Sequence, residues 1–303
     1  MKIVVIVGPT ASGKTALSLR LADAAAPAEI VSADSQQVYR GMDVGTGKVS
    51  PAERARVPHH LLDVLAPGET MTAARYAELA DAALAGIHAR GAAAVVVGGT
   101  GLYVRALLYG LFEGPGADAA LRARLEAQGA AALHARLSRS DPEAAARIDP
   151  NDLRRLVRAL EVEELTGVPM SEHQRRHDVR NAPRRYQARL VGLDPPRAEL
   201  HRRIGARVDA MLAGGILDEA RALAAAQAGG ARAFDAIGYR ELLAHLRGEL
   251  DLAAAAEAMK AATRRYARRQ LGWFRSEAEV AWYTSEADVD TRELAAWLRA
   301  EGA

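Results

Sequence analysis

The chain has 303 residues, a formal net charge of +2 and half its residues hydrophobic, a length at which one large domain or two modest ones can bury a real core. It has no cysteine, which excludes disulfides, cysteine-based zinc fingers, iron–sulfur clusters and thiol nucleophiles and fits a reducing cytoplasm. No stretch approaches the ~18 apolar residues of a membrane span, so a soluble, untargeted protein without a membrane partner is expected.

Over the first hundred residues, apolar runs of strand length alternate with amphipathic stretches of helix length, the pattern of an α/β domain with a parallel sheet. Ile3 to Val7 reads as the first strand, Thr15 to Ala25 as a helix, Glu29 to Ser32 as the second strand and Leu61 to Val64 as the third. Ala73 to Arg90 then reads as helix, and Ala93 to Val97 as a buried strand ending in Gly98-Gly99-Thr100. Near Gly114 the texture changes: Pro115 and Gly116 break the pattern, and the charged sequence that follows is helical without a strand-like run. Ala188 to Leu193 is the next strand-like run, and the chain beyond Arg197 is helix-rich, with a turn at Gly229-Gly230. The expected architecture is a P-loop parallel-sheet core with C-terminal helices over residues 1–114 plus 186–303, and a helical insertion over 115–185.

The sharpest motif is Gly8-Pro9-Thr10-Ala11-Ser12-Gly13-Lys14-Thr15, which fits G-x-x-x-x-G-K-[ST] between the first strand and the first helix. Glycines let the backbone curl so that successive N–H groups face phosphate oxygens. The helix N-terminus adds a favourable dipole, Lys14 a point charge, and Thr15 a hydroxyl for Mg²⁺, the one cofactor expected. An ATP or nucleotide site is the formal reading of such a loop. An NTP hydrolase, however, needs an acid at the end of a second apolar strand, and Ala93 to Val97 ends in Gly98-Gly99-Thr100 instead. The carboxylate that does appear is Asp34, after Ile30 to Ala33. At a strand's carboxyl end it would face the ligand crevice, as a general base, as a Mg²⁺ ligand through water, or as the cap of the next turn.

Four segments together resemble the tRNA dimethylallyltransferase (isopentenyltransferase) family: the phosphate loop, Asp34-Ser35-Gln36-Gln37-Val38-Tyr39-Arg40-Gly41-Met42-Asp43-Val44-Gly45-Thr46, Pro58 to Asp63, and Gly98-Gly99-Thr100-Gly101-Leu102-Tyr103. Asp149 to Asp152 with Arg154-Arg155-Leu156-Val157-Arg158-Ala159-Leu160-Glu161, Ala236-Ile237-Gly238-Tyr239-Arg240-Glu241, and Arg268-Arg269-Gln270-Leu271-Gly272-Trp273-Phe274 extend the likeness in order over nearly the whole chain. Gly272 stands where Thr is common in the family. The resemblance implies transfer of a dimethylallyl group from dimethylallyl diphosphate to the exocyclic N6 amine of the adenine 3′ to the anticodon, in tRNAs reading codons that begin with U. It implies that the phosphate loop holds the diphosphate and that no triphosphate is hydrolysed.

By the same resemblance, Arg158 and Arg207 complete the diphosphate clamp, with Arg203 one helical turn before the latter, and Thr100 lies near the reacting amine. Asp34, Ser35, Gln36, Gln37 and Thr100 would touch the tRNA, as would Arg122, Arg154, Arg155, Leu156, Val157, Arg158, Gly238, Tyr239, Arg240, Arg268, Arg269 and Gln270. The target base would be flipped from the anticodon stack. An adenine amine must lose a proton as it attacks, and Asp34 is the expected base, with Lys14 and Thr100 as the other catalytic groups. A cytoplasmic monomer is expected.

Only Lys2, Lys14, Lys48 and Lys260 among the 40 basic residues are lysines, and the planar arginine fork suits phosphate. Abundant Ala and Arg together also fit a compositional bias. The clusters are more telling: Arg175, Arg176, Arg180, Arg184, Arg185 and Arg189 stand against the single acid Asp178, and Arg264, Arg265, Arg268, Arg269 and Arg275 stand with none. Both fit RNA backbone contacts or, blandly, solvated helix faces. His59-His60 and His173/His177 lack a third ligand at a telling distance, so no zinc is expected. Alternatives remain an adenylate prenyltransferase using free nucleotide, against which the long insertion and Arg-rich C-terminal half argue, and a P-loop small-molecule kinase, which would need a lid-like arginine motif. A purely structural RNA-binding module would not need Lys14 and Asp34 together.

Overall fold

The computed structural model describes residues 1–112, 114–177, 182–226, 232–277 and 279–300; Asp178, Arg180 and the Gly229-Gly230 turn lie outside the described residues. Six parallel strands form one sheet in the order β3-β2-β4-β1-β5-β6. These are β1 (Lys2–Val7), β2 (Ala28–Ser32), β3 (His59–His60), β4 (Ala93–Gly98), β5 (Gln187–Leu193) and β6 (Val280–Tyr283). Ile3 to Val7 are wholly buried, as an unbroken apolar run must be when both faces of its strand are covered. Strand alternation sends Val4 and Ile6 to one face, where they pack with Leu17 and Leu21 of α1 (Lys14–Ala24) and with Leu294 and Ala295 near the C-terminus.

β1 is flanked by β4 on one side and β5 on the other. The chain order reverses there, and in parallel sheets that crevice, at the carboxyl ends of the strands, takes the ligand. The register sets Val7 opposite Gly98 and opposite Gly192, and Ser32 of β2 opposite Val97, so the loops after β1, β2 and β4 meet at one edge. Gly98 is required there: a Cβ would lie 2.1 Å from the Ala33 carbonyl oxygen.

Between β2 and β4 run α2 (Pro51–Arg56) and α3 (Ala73–Ala89), and α4 (Gly101–Tyr109) follows β4. The expected third strand at Leu61 to Val64 is corrected to the two residues His59–His60. Leu61 and Asp63 sit at φ 62° and 58°, a left-handed backbone no strand can contain, and the Asp63 carboxylate accepts from Lys48 Nζ (2.5 Å) and Arg54 Nη1 (2.7 Å). The short apolar run is thus a loop clamped by two cations. The edge strand β6 gave no sequence signal, being four residues with no fully buried position.

The chain divides into two compact units, Met1–Leu108 with Arg184–Ala303, and Tyr109–Pro183. The second contains α5 (Ala119–Glu126), α6 (Ala130–Ser140), α7 (Pro142–Arg147), α8 (Leu153–Thr166) and α9 (Met170–Arg176) around Leu121, Leu125, Leu133, Leu137, Leu156, Val157 and Leu160. Within it Glu161 is buried and accepts from Arg122 (2.7 and 2.9 Å), Arg158 (2.6 Å) and the Asp118 N–H (2.9 Å). Burial pushes this carboxyl's pKa up, but those hydrogen bonds outweigh it and hold the group at about 2. In the first unit, the Arg185 N–H donates to the Leu108 carbonyl at 2.8 Å, so the strands of chain that leave for the helical unit and return from it are joined by a hydrogen bond. After β5 come α10 (Arg197–Ala213), α11 (Ile216–Ala225), α12 (Tyr239–Leu246), α13 (Leu252–Arg275) and, beyond β6, α14 (Thr291–Arg299). Among the described residues no helix is long and apolar enough to cross a membrane.

Replacing Gly98 by Ala forces β4 from the Ala33 backbone, and we expect a loss of about 1–3 kcal/mol, read as a lower urea midpoint with an unchanged slope.

Candidate active site

The phosphate loop curls as its glycines require, with Gly8 at φ 144° and Gly13 at φ 99°. A Cβ on Gly8 would lie 2.6 Å from the Leu193 carbonyl oxygen of β5. Gly13 hands directly to the N-terminus of α1, leaving the first helical N–H groups facing the crevice. Lys14 Nζ donates to the Pro9 carbonyl at 2.6 Å. The loop is tied across the crevice by Gln270 of α13, whose Oε1 accepts from the Thr10 N–H at 2.9 Å while its Nε2 donates to the Gly99 carbonyl at 2.9 Å.

A cavity of about 560 Å³ opens beside this loop. Thr10 to Thr15, Asp34 to Gln37, Arg207, Arg269 and Gln270 of the expected set line it. Gly8 and Pro9 form the loop's base. Asp34 Oδ1 accepts from the N–H groups of Gln36 (2.8 Å) and Gln37 (3.2 Å), an Asx turn that fixes the carboxylate and leaves its second oxygen uncommitted to those bonds. Thr100 Oγ1 accepts from the Ser35 N–H at 3.0 Å, which joins the end of β4 to the loop after β2. Burial pushes the Lys14 pKa down to about 8, with Asp34 opposing the shift and Arg207 adding to it. Burial likewise lowers the Arg207 pKa, against the pull of Asp34. Two desolvated cations with one carboxylate make a pocket ready for an anion.

Several expected contacts have other occupations. Arg158 belongs to the helical unit and there donates to Glu161 (2.6 Å) and the Pro115 carbonyl (3.1 Å); in the sheet-bearing unit Lys14, Arg207 and Arg203 line the cavity beside the phosphate loop. Arg122 forks onto the same Glu161, and Arg155 pairs with Asp152 at 3.4 Å; Arg154 lies on the same helix. Leu156 and Val157, 0% and 2% exposed, lie on the apolar face of α8 and pack into the helical unit's core, so their side chains serve packing in this structure. Tyr239 is also buried, with its hydroxyl donating to Glu219. Gly238 is buried at φ 102° with its N–H on Glu241 Oε2 (2.7 Å), and Arg240 pairs with that same glutamate. Gln270, 6% exposed, is chiefly a strut of the site.

Arg203, Tyr266, Met259, Thr263 and the Gly45-Thr46-Gly47 loop line the cavity without having been singled out as site residues. A signal existed for the helical ones: Met259, Thr263, Tyr266 and Gln270 recur at helical spacing along one face of α13. Tyr266 hydrogen-bonds Thr100 and Gln270, and burial, the largest cause, raises its pKa. Arg264, Arg265 and Arg268, on another face, line a separate groove with Arg197.

The IPP transferase profile matches residues 37–277. The chain belongs to the IPP transferase family. Its similarity to other members is nearly end to end. It is 59% identical to a tRNA dimethylallyltransferase of Anaeromyxobacter sp. (strain K), over 96% of this chain and 95% of that protein. The full-length tRNA isopentenylpyrophosphate transferase of Bacillus halodurans superposes with a TM-score of 0.71 at 41% identity, covering 98% of this chain and 94% of that one. A eukaryotic dimethylallyltransferase solved acting on tRNA has a TM-score of 0.80 at 28% identity, covering 98% and 75%. As in the family, a prenyl-transferring enzyme is the activity class.

Lys14 loses its charge as pH rises through about 8, so inorganic pyrophosphate should bind this IPP transferase progressively more weakly above that pH, with Lys14→Arg holding its affinity to higher pH. Titration calorimetry across the range gives the comparison; parallel profiles for both proteins would remove Lys14 as the titrating group.

Proposed function

We propose that the chain transfers a dimethylallyl group from dimethylallyl diphosphate to N6 of the adenine 3′ to the anticodon, in tRNAs reading U-starting codons, and releases diphosphate. The observation that carries this reading is the gathering of Lys14, Arg207 and Asp34 around one cavity beside the phosphate loop, at a sheet edge where β4 ends in Gly98-Gly99-Thr100 without an acid. Such a site grips an anionic leaving group and takes up a proton; it lacks the carboxylate at the end of the second apolar strand, β4, that serves triphosphate hydrolysis. The names of the near-full-length relatives support the same reading.

The donor's allylic C–O bond breaks as the C–N bond to adenine forms. Negative charge grows on the diphosphate, where Lys14, Arg207 and the loop N–H groups receive it in a desolvated pocket. The amine proton passes to Asp34, whose Oδ1 is occupied by two N–H donors and whose other oxygen serves as acceptor. In this reading Thr100, whose Oγ1 accepts from the Ser35 N–H next to Asp34, orients the amine. Among the described residues no group of three or more His, Asp or Glu could hold a metal. Mg²⁺ suits this donor set, because it keeps water and phosphate oxygens as most of its ligands; the Thr15 hydroxyl would hold it, and it would neutralise diphosphate charge. All these groups come from one chain, and the reading takes a monomer.

The RNA would be gripped through arginines that have no ion-pair partner among the described residues: Arg264, Arg265 and Arg268 on α13. Such backbone contacts are electrostatic and salt-dependent. Neutralising these three together should weaken tRNA binding and flatten its dependence on salt; a slope equal to the parent's rules them out. Asp34→Ala should lower turnover by ~100-fold or more while tRNA still binds, and unchanged turnover removes Asp34 as the base. The deciding assay supplies labelled dimethylallyl diphosphate and Mg²⁺ with either a tRNA transcript bearing adenines after its anticodon or free AMP. Label in the tRNA alone is expected, whereas label in AMP alone moves the enzyme to the free-nucleotide class.

A further inference from the structure

We infer that Glu219, assisted by Tyr239, is a positioning residue that holds the 43–47 loop against the pocket and thereby aims Arg207; this rests on Arg207 serving the diphosphate as proposed above. Glu219 sits in the first turn of α11, and three consecutive N–H groups converge on its carboxylate: Asp43 at 2.7 Å and Val44 at 2.9 Å on Oε2, and Gly45 at 3.0 Å on Oε1. The Tyr239 hydroxyl donates to Oε1 at 2.5 Å. Successive backbone N–H groups turned to one side form an anion-binding concavity, and here the anion is the protein's own. In a chain so rich in arginine, Glu219 takes none of them as an ion-pair partner among the described residues, so its charge is spent on the loop.

What the loop does with that anchorage lies at its other end. The Thr46 carbonyl accepts from Arg207 Nη2 at 3.2 Å, and the carbonyls of Thr46 and Gly47 accept from Gln37 Nε2 at 3.4 and 3.3 Å. Gly45, Thr46, Gly47, Gln37 and Arg207 all line the cavity beside the phosphate loop. The fit leaves no slack: a Cβ on Gly45 would lie 2.5 Å from the Tyr239 ring, and one on Gly47 would lie 1.9 Å from Arg207 Nη2. Arg207 is long and its burial is costly, so without a fixed carbonyl its guanidinium gains both rotamer freedom and a reason to leave. Glu219 does not itself line the cavity and acts on it only through the loop backbone it holds. Tyr239, buried in the motif that resembles an RNA contact, acts through Glu219.

Hydrogen exchange on the free protein tests the anchorage. In Glu219→Ala and Glu219→Gln the amides of residues 43–45 should exchange faster than in the parent; unchanged protection in both overturns the inference. Pyrophosphate titration tests the consequence. Glu219→Gln should bind pyrophosphate about tenfold more weakly, the loss of one charge-assisted hydrogen bond, and add little to the loss caused by Arg207→Ala in the double variant. Tyr239→Phe, which leaves all three N–H bonds, should show a smaller effect of the same kind. Fully additive losses, or parent-like affinity in Glu219→Gln, overturn the aiming of Arg207. A parent protein that binds no pyrophosphate overturns both the reading of the pocket and that aiming, while the exchange rates still decide whether Glu219 anchors the loop.

Discussion

The side-chain amide of Gln270 sets the geometry on which the rest of the pocket depends. Its oxygen accepts the Thr10 N–H and its nitrogen donates to the Gly99 carbonyl, so one buried, uncharged group spans the ends of β1 and β4. An amide carries a donor and an acceptor on one carbon of a side chain that is neutral at every working pH. A carboxylate at that position would repel the Gly99 carbonyl and bring negative charge to a loop that must receive phosphate. A C-terminal helix thereby completes a site to which the first hundred residues bring the phosphate loop and Asp34 and α10 brings Arg207.

Charge is distributed by the same economy. Most arginines of the sheet-bearing unit are committed to carboxylates or carbonyls, as in the fork of Arg90 on Glu29 or of Arg202 on Glu199. Exposed pairs such as Arg202–Glu199 contribute little to stability, but such pairing neutralises much of the positive charge outside the crevice and α13. Against that neutralised background the desolvated Lys14 and Arg207 become the strong features of the crevice, and the unpaired guanidinium groups of α13 become a stripe. The helix therefore works on two faces: Met259, Thr263, Tyr266 and Gln270 look into the cavity, while Arg264, Arg265 and Arg268 line a groove elsewhere.

Much of this was legible because it is local. An unbroken apolar run followed by glycines specifies a buried parallel strand and a phosphate loop, and β1, β2, β4 and β5 fall within a residue or two of where hydrophobic runs put them. Elements fixed by distant partners were not legible. Leu61 to Val64 looks like a strand, and becomes a loop because Lys48 and Arg54 seize Asp63. Leu156, Val157 and Tyr239 stand in motifs resembling RNA contacts, yet burial claims them, since a motif records which residues matter without recording whether they touch ligand or hold what does. Glu219 carries no local signature at all: it draws its meaning from the 43–45 backbone far away in sequence. Tyr266 has only the helical spacing it shares with Met259, Thr263 and Gln270, and its partner Thr100 lies far away in sequence.

The hydrogen bond between Arg185 and Leu108 makes the helical unit an inset with its two leads soldered together at the base. Everything from Tyr109 to Pro183 leaves and re-enters the sheet-bearing unit at what is, for the remaining chain, a single point. Because the leads are pinned by a backbone hydrogen bond within the sheet-bearing unit, the run from α4 to β5 is closed there whatever the number of residues inserted between them, and the register of β5 against β1 does not depend on that length.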